Sequence, residues 1–241
     1  MNPHIGLENC LSFINCQMQP PRFSAFKSEE RQPRRAITIS RQSGSGGHSV
    51  AEKLVAILRA RDPDPGCAWT VFDRELVKKV LEDHHLPERL ARFMPEDKIS
   101  EIVDTMDELF GLHPPSWTLV HKMADTILRL AELGKVILIG RGANVITSKF
   151  DYVFHVRLVG SLPRRVTYME QCQGIGHREA LELVSDEDLG RKRYLKKYFN
   201  KNIDDPLLYH LVINTDNISY EEAAHLIADA VVSPTVFAHA A

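Results

Sequence analysis

The chain has 241 residues, 44% apolar and 26% charged, with a formal net charge of −2. That length suits one sizeable α/β domain with insertions rather than two full domains, and the composition is that of a globular protein. The near-neutral charge leaves no electrostatic footprint for nucleic acid, and no apolar run approaches the roughly 20 residues that cross a bilayer. Residues 1–35 lack the basic and apolar regions of a secretory signal. Cys10, Cys16, Cys67 and Cys172 lie far apart with no metal-ligand spacing. They read as reduced, mostly buried thiols in a cytoplasmic protein.

In chain order, Ile5, Leu7, Leu11, Ile14 and Met18 fall near helical spacing, and Pro20-Pro21 would end that helix. A polar linker then runs from Lys27 to Arg35. This extension, 1–35, reads as a docking element or a self-association contact, or equally as a helix packed on its own domain. From Ala36 onward, short apolar strands (36–40, 69–72, 136–140, 152–158 and 211–214) alternate with helical stretches (48–61, 74–83, 99–109, 116–133, 162–173, 178–183, 190–199 and 219–231). That alternation predicts an α/β domain over 36–231, with a parallel sheet covered by helices on both faces. Residues 86–115, with prolines and scattered charge, read as an insertion bearing its own helix. A charged helix-loop stretch at 177–206 precedes the last strand, and 232–241 forms a tail.

The stretch richest in chemistry follows the first strand: Ser40-Arg41-Gln42-Ser43-Gly44-Ser45-Gly46-Gly47-His48-Ser49. A strand, a glycine-rich turn and a helix start together aim backbone N–H groups at an anion. Against the pattern G-x-x-x-x-G-K-[ST], Arg41 stands at the first glycine and Gly47 at the lysine. Ser43, Gly44, Ser45, Gly46, Gly47, His48 and Ser49 are the candidate phosphate-binding residues, and the Ser49 hydroxyl is a candidate Mg2+ ligand. Arg41 and His48 are the cations placed to compensate for the missing lysine. The alternative is a glycine turn that binds nothing.

After the second strand, Asp73 is suited to orient an acceptor or take a proton, and Arg74 to pair with a phosphate. A helix cap with an exposed arginine is the plainer reading. After the third strand, Gly140-Arg141-Gly142 frames an arginine whose planar fork suits bidentate phosphate contact; pairing with a nearby acid is the alternative. Arg164 and Arg165 open the helix after the fourth strand, with at least one of them solvated. The run Gly190-Arg191-Lys192-Arg193-Tyr194-Leu195-Lys196-Lys197-Tyr198 forms a basic helix, either a lid over nucleotide phosphates or a solvated surface. His84-His85 reads as an exposed helix end, not a metal site.

In this order the motifs resemble the nucleoside monophosphate kinase superfamily, and most closely the cytidylate kinase-like family. Ile39-Ser40-Arg41-Gln42-Ser43-Gly44-Ser45-Gly46-Gly47 is similar to its opening I-S-R-x-x-G-S-G-G. Asp73 falls near its acidic residue, Gly140-Arg141 resembles its acceptor-holding G-R pair, and Arg164 resembles the arginine of its E-R-A-type turn. Asp205 to Thr215, followed by Ile218-Ser219-Tyr220-Glu221-Glu222-Ala223, resembles its closing pattern. The resemblance implies a P-loop NTPase-type parallel five-stranded sheet, with a helical acceptor-site insertion and a lid. It implies ATP- and Mg2+-dependent phosphoryl transfer to a nucleoside monophosphate, nominally CMP or dCMP. In that scheme Arg41, Arg191 and Arg193 neutralise the transferring group, while Asp73, Arg74, Arg141 and Arg164 hold the acceptor. The absent loop lysine keeps two rivals open: a nucleotide-binding regulatory module, and a kinase for another small molecule.

Overall fold

Five runs of β-branched and aliphatic residues pair into one parallel sheet. A computed structural model describes residues 10–16, 35–62, 67–73, 102–106, 109 and 118–233. The strands are β1 (Ala36–Arg41), β2 (Thr70–Phe72), β3 (Val136–Ile139), β4 (Val153–Val159) and β5 (Leu211–Asn214), in the order β2-β3-β1-β4-β5. The helices are α1 (Gly47–Arg61), α2 (Thr118–Leu133), α3 (Ala143–Ile146), α4 (Leu162–Gln173), α5 (His177–Phe199) and α6 (Tyr220–Val232). The architecture is the expected P-loop NTPase-type α/β fold. Its central strand, β1, has β3 on one side and β4 on the other, so the carboxyl ends of three strands meet at one edge. Open parallel sheets bind their ligands at such an edge.

Side chains alternate across the sheet and feed two cores. Ile37, Ile39, Ile137, Ile139, Phe154, Val156 and Leu158 pack with residues of α1 and α6 on one face. Ala36, Val136, Leu138 and Val153 pack with residues of α2 and α3 on the other. That second face also carries a polar column along the β1–β4 register, where Thr38 pairs His155 and Ser40 pairs Arg157. Thr38 Oγ1 lies 2.8 Å from His155 Nδ1, and Arg157 donates to Ser40 Oγ at 2.9 Å. The start of α6 is fixed locally: Ser219 and Glu222 form a reciprocal capping box.

Three expectations change. First, residues 10–16 are helical, and Cys10, Phe13 and Ile14 are buried in the core beside Phe72, with the Phe13 and Phe72 rings 5.9 Å apart. The apolar side of this segment is spent on the chain's own domain, the second of the two readings left open above. Second, Cys16 and Cys67 form a disulfide, while Cys10 is a buried thiol and Cys172 an exposed one. The reading of four reduced thiols is therefore corrected, and with it the cysteine argument for a cytoplasmic site. Sequence could not show this, because the two partners are 51 residues apart.

Third, the stretches 178–183 and 190–199 are one continuous helix, α5. Ser185, Asp186, Asp188 and Gly190 have weak helix preference, but tertiary contacts of Glu187 with Ser43 and of Asp188 with Ser43 and Arg165 hold the helix through them. The helix at 74–83, His84-His85, most of the insertion and residues 234–241 lie outside the described residues. Among the described residues no helix is long and apolar enough to cross a membrane.

The polar column has a pH signature. Burial, and then the neighbouring His210, lower the His155 pKa to about 3, against roughly 6.5 in an unfolded chain. As pH falls below that unfolded value, the unfolded state takes up the proton first, so stability drains away from pH ~6.5 toward 3. Thermal unfolding followed over that window should show the loss in the wild type and a flatter profile in His155→Gln.

Candidate functional site

Arg41 ends β1 and is the centre of the site. A Cβ on Gly47 would lie 3.0 Å from Arg41 Cγ, and one on Gly140 would lie 2.0 Å from Arg41 Nη1. The absence of side chains at these two positions is what lets the arginine run between the glycine loop and the end of β3. Where a common phosphate loop carries lysine, this one carries the space that Arg41 fills. The half-buried guanidinium makes no hydrogen bond or close ion pair among the described residues. Desolvation, followed by the charge of Arg191 and more weakly that of Arg141, pulls its pKa down to about 10, with Glu187 and Asp73 opposing. It remains a cation at neutral pH, held where positive charge is disfavoured.

The turn after β3 carries the second cation. Gly140, Arg141 and Gly142 have φ of 79°, 56° and 72°, three left-handed residues in a row. For a non-glycine residue that geometry costs about 1–2 kcal/mol, a local strain of the kind that functional sites keep. Gly142 admits α5 closely: a Cβ there would sit 2.9 Å from Phe199 Cε2. Arg41, Arg141 and Arg191 then line one cavity of about 330 Å3, walled by Ile139, Leu195 and Tyr194. A second cavity, of about 360 Å3, opens at Gly44 and is lined by Arg164, Tyr168, Thr215, Asp216 and Tyr220. The glycine loop therefore borders one cavity through Gly44, while the end of β1 borders the other through Ser40 and Arg41.

Side chains of α5 and α4 hold the loop. Ser43 donates its backbone N–H to Asp188 Oδ1 at 2.7 Å and its hydroxyl to Glu187 Oε2 at 2.5 Å. Arg165, buried, donates to Ser43 O at 2.8 Å and to Asp188 Oδ2 at 2.7 Å. Arg191 donates to Asp188 Oδ1 at 3.0 Å and to Glu187 Oε2 at 2.6 Å. Burial opposes ionisation of Glu187, but hydrogen bonds from Ser43 and Arg191 and the charges of Arg191 and Arg41 win, holding its pKa below the usual carboxylate range. Ser49 Oγ lies 3.0 Å from the Tyr168 hydroxyl, and His48 Nε2 lies 3.4 Å from Asp73 Oδ2.

The profile of the cytidylate kinase-like family matches residues 36–217, three quarters of the chain and all of the site residues above except Tyr220. The chain belongs to the cytidylate kinase-like family. A cytidylate kinase from Methanococcus aeolicus is 24% identical over 176 residues, covering 70% of this chain and 94% of that one. An uncharacterised protein from Eubacterium ventriosum superposes with a TM-score of 0.63 at 22% identity, covering 82% of this chain and 98% of that one. It shares the fold.

For this member of the family, the structure brings Arg41, Arg141 and Arg191 to one cavity and leaves others elsewhere. Arg193 is exposed, because two residues beyond Arg191 a helix has turned to its opposite face. Arg164, grouped above with the acceptor residues, is exposed on the other cavity and donates to the Asp216 carbonyl at 2.6 Å. Its neighbour Arg165 is the one turned inward to the loop, a distinction that Pro163-Arg164-Arg165 alone does not encode. Arg74 lies outside the described residues.

Sequence reasoning missed Arg157, Glu187, Asp188, Asn144, Tyr168 and Tyr194. One signal was there: Arg157, like His155, interrupts the apolar run of β4, and it is buried with Nη2 donating to Asp204 Oδ1 at 3.0 Å. Lys192 also reaches Asp204, at 2.7 Å.

The Arg41–Gly47 fit is testable by a double-mutant cycle. Restoring the usual lysine as Gly47→Lys should cost about 1–3 kcal/mol through overpacking. In an Arg41→Ala background the same substitution should cost clearly less, a coupling that denaturant unfolding of the four proteins would measure.

Proposed function

We propose that this protein transfers a phosphoryl group from ATP to a nucleoside monophosphate, with CMP or dCMP the first acceptors to test. The observation that carries this reading is Arg41: a cation without a hydrogen-bond partner among the described residues, opening on a cavity it shares with Arg141 and Arg191. Phosphoryl transfer needs positioning and charge neutralisation more than covalent help from the protein. Arg41 supplies, from beneath the loop, the charge that a loop lysine supplies from within it. The residues of the Gly44 cavity, with the rings of Tyr168 and Tyr220, hold the donor nucleotide. Arg141 and Arg191 hold the acceptor's phosphate, Arg41 faces the group in transfer, and Asp73 orients the acceptor's reacting oxygen.

The loop residues 43–49 then cradle the donor phosphates. An incoming phosphate competes with Asp188 and Glu187 for the Ser43 N–H and hydroxyl. Among the described residues no group of three His, Cys, Asp or Glu side chains forms a metal cage. That suits Mg2+, which keeps waters and takes most of its protein contact from one or two oxygens beside substrate phosphates. The Ser49 hydroxyl is the oxygen placed for it, once released from Tyr168. Bound there, the ion would offset charge on the phosphates.

One observation favours a second reading, a nucleotide-binding regulatory module without turnover: the α5 carboxylates already satisfy the donors of Ser43. ADP production from MgATP with CMP, dCMP, UMP, AMP or GMP, against an acceptor-free control, separates the two. The kinase reading predicts acceptor-dependent turnover that falls about 10²-fold in Arg141→Ala with ATP binding retained. Tight ATP binding with no transfer to any acceptor favours the module, and unchanged turnover in Arg141→Ala removes Arg141 from the acceptor site.

A further inference from the structure

The cavity beside Arg41 holds more than guanidinium groups. Two neutral polar atoms of its lining residues, Asn144 Nδ2 and Tyr194 Oη, are buried without a hydrogen-bond partner among the described residues. Asn144 is 5% exposed and lies at the second position of α3; Tyr194 belongs to α5. A buried donor left unmade is destabilising, and native proteins rarely keep one without a use for it. Here two residues that carry such donors, on different elements, line the same cavity.

Their positions follow the cavity's cations. Asn144 comes three residues after Arg141, and Tyr194 three residues after Arg191 on the same helix. On α5 that spacing puts Tyr194 one turn along from Arg191, on the same side. The three arginines answer the two negative charges of a phosphate. An amide and a phenol add no charge, so they suit neutral acceptor atoms such as a hydroxyl or carbonyl oxygen or a ring nitrogen.

Resting on the acceptor-site reading above, we propose that Asn144 and Tyr194 bind the uncharged part of the acceptor nucleotide, donating hydrogen bonds to its sugar or base while Arg141 and Arg191 hold its phosphate. They are specificity residues: they distinguish a nucleoside monophosphate from a bare phosphate. Because both donors are unsatisfied until the ligand arrives, their removal has opposite effects on the empty protein and on binding.

The test compares wild type, Tyr194→Phe and Asn144→Leu by thermal unfolding without ligand and by calorimetric titration with CMP, ribose 5-phosphate and inorganic phosphate. Tyr194→Phe removes one hydroxyl and keeps the ring, so it reports even where Asn144→Leu fails to fold. The expected result is an unchanged or higher melting temperature without ligand. CMP affinity should fall about fivefold to tenfold, the effect of one lost hydrogen bond, with phosphate affinity unchanged. A matching loss for ribose 5-phosphate assigns the contact to the sugar; a loss confined to CMP assigns it to the base. Unchanged CMP affinity in the variants, or equal losses for CMP and inorganic phosphate, overturns the proposal while leaving the kinase reading intact. If the wild type binds CMP, UMP, AMP and GMP no better than phosphate, the acceptor-site reading itself falls, and this inference with it.

Discussion

A guanidinium set between a glycine loop and two strand ends is the constraint on which the rest of the site depends. Arg41 has room only because Gly47 and Gly140 lack side chains. It is charged in a place that lowers its pKa, so the surrounding elements are arranged around an excess of positive potential. Three arginines open on one cavity, and of these Arg191 is paired with the α5 carboxylates Glu187 and Asp188. Such an arrangement has a stability cost in the empty protein and returns it when an anion binds.

The helix α5 ties these parts together. Its first half packs on α4 through Ala180 and Val184 against Val166 and Met169, and its last turns pack through Leu195 beside Val145 and Ile203. Between those two contacts, Glu187 and Asp188 meet the loop, and Arg191 bonds to both of them. A helix anchored at both ends positions its middle, so the carboxylates sit on Ser43 as part of the packing. Movement of α5 would change both the loop's hydrogen bonding and the cavity that Arg191 and Tyr194 line. A segment whose sequence reads as a lid or as a solvated surface is a strut of the site.

Much of the fold was legible because it is local. β5 and α4 match their sequence-derived bounds, since an apolar run between polar turns and a proline-started helix carry their own signals. The glycine loop and the Gly140-Arg141-Gly142 turn were legible as well, because residues with little packing purpose at strand ends stand out. What escaped depends on partners distant in sequence. The continuity of α5 rests on pairs 23 and more residues apart, such as Arg165–Asp188. The choice between Arg164 and Arg165 depends on helix phase at its first turn. Asn144 and Tyr194 became conspicuous only once a cavity and the absence of hydrogen-bond partners could be seen together.

The most direct test of the central claim is the melting temperature of wild type and Arg41→Met as inorganic phosphate is added. Replacing a desolvated cation that lacks a hydrogen bond among the described residues by an apolar chain of similar length should leave the phosphate-free protein at least as stable. If Arg41 is the heart of an anion site, phosphate raises the wild-type melting temperature by mass action and raises that of Arg41→Met little or not at all. Equal rises in the two proteins would contradict the account, because the anion would then be held without the residue around which the site is built.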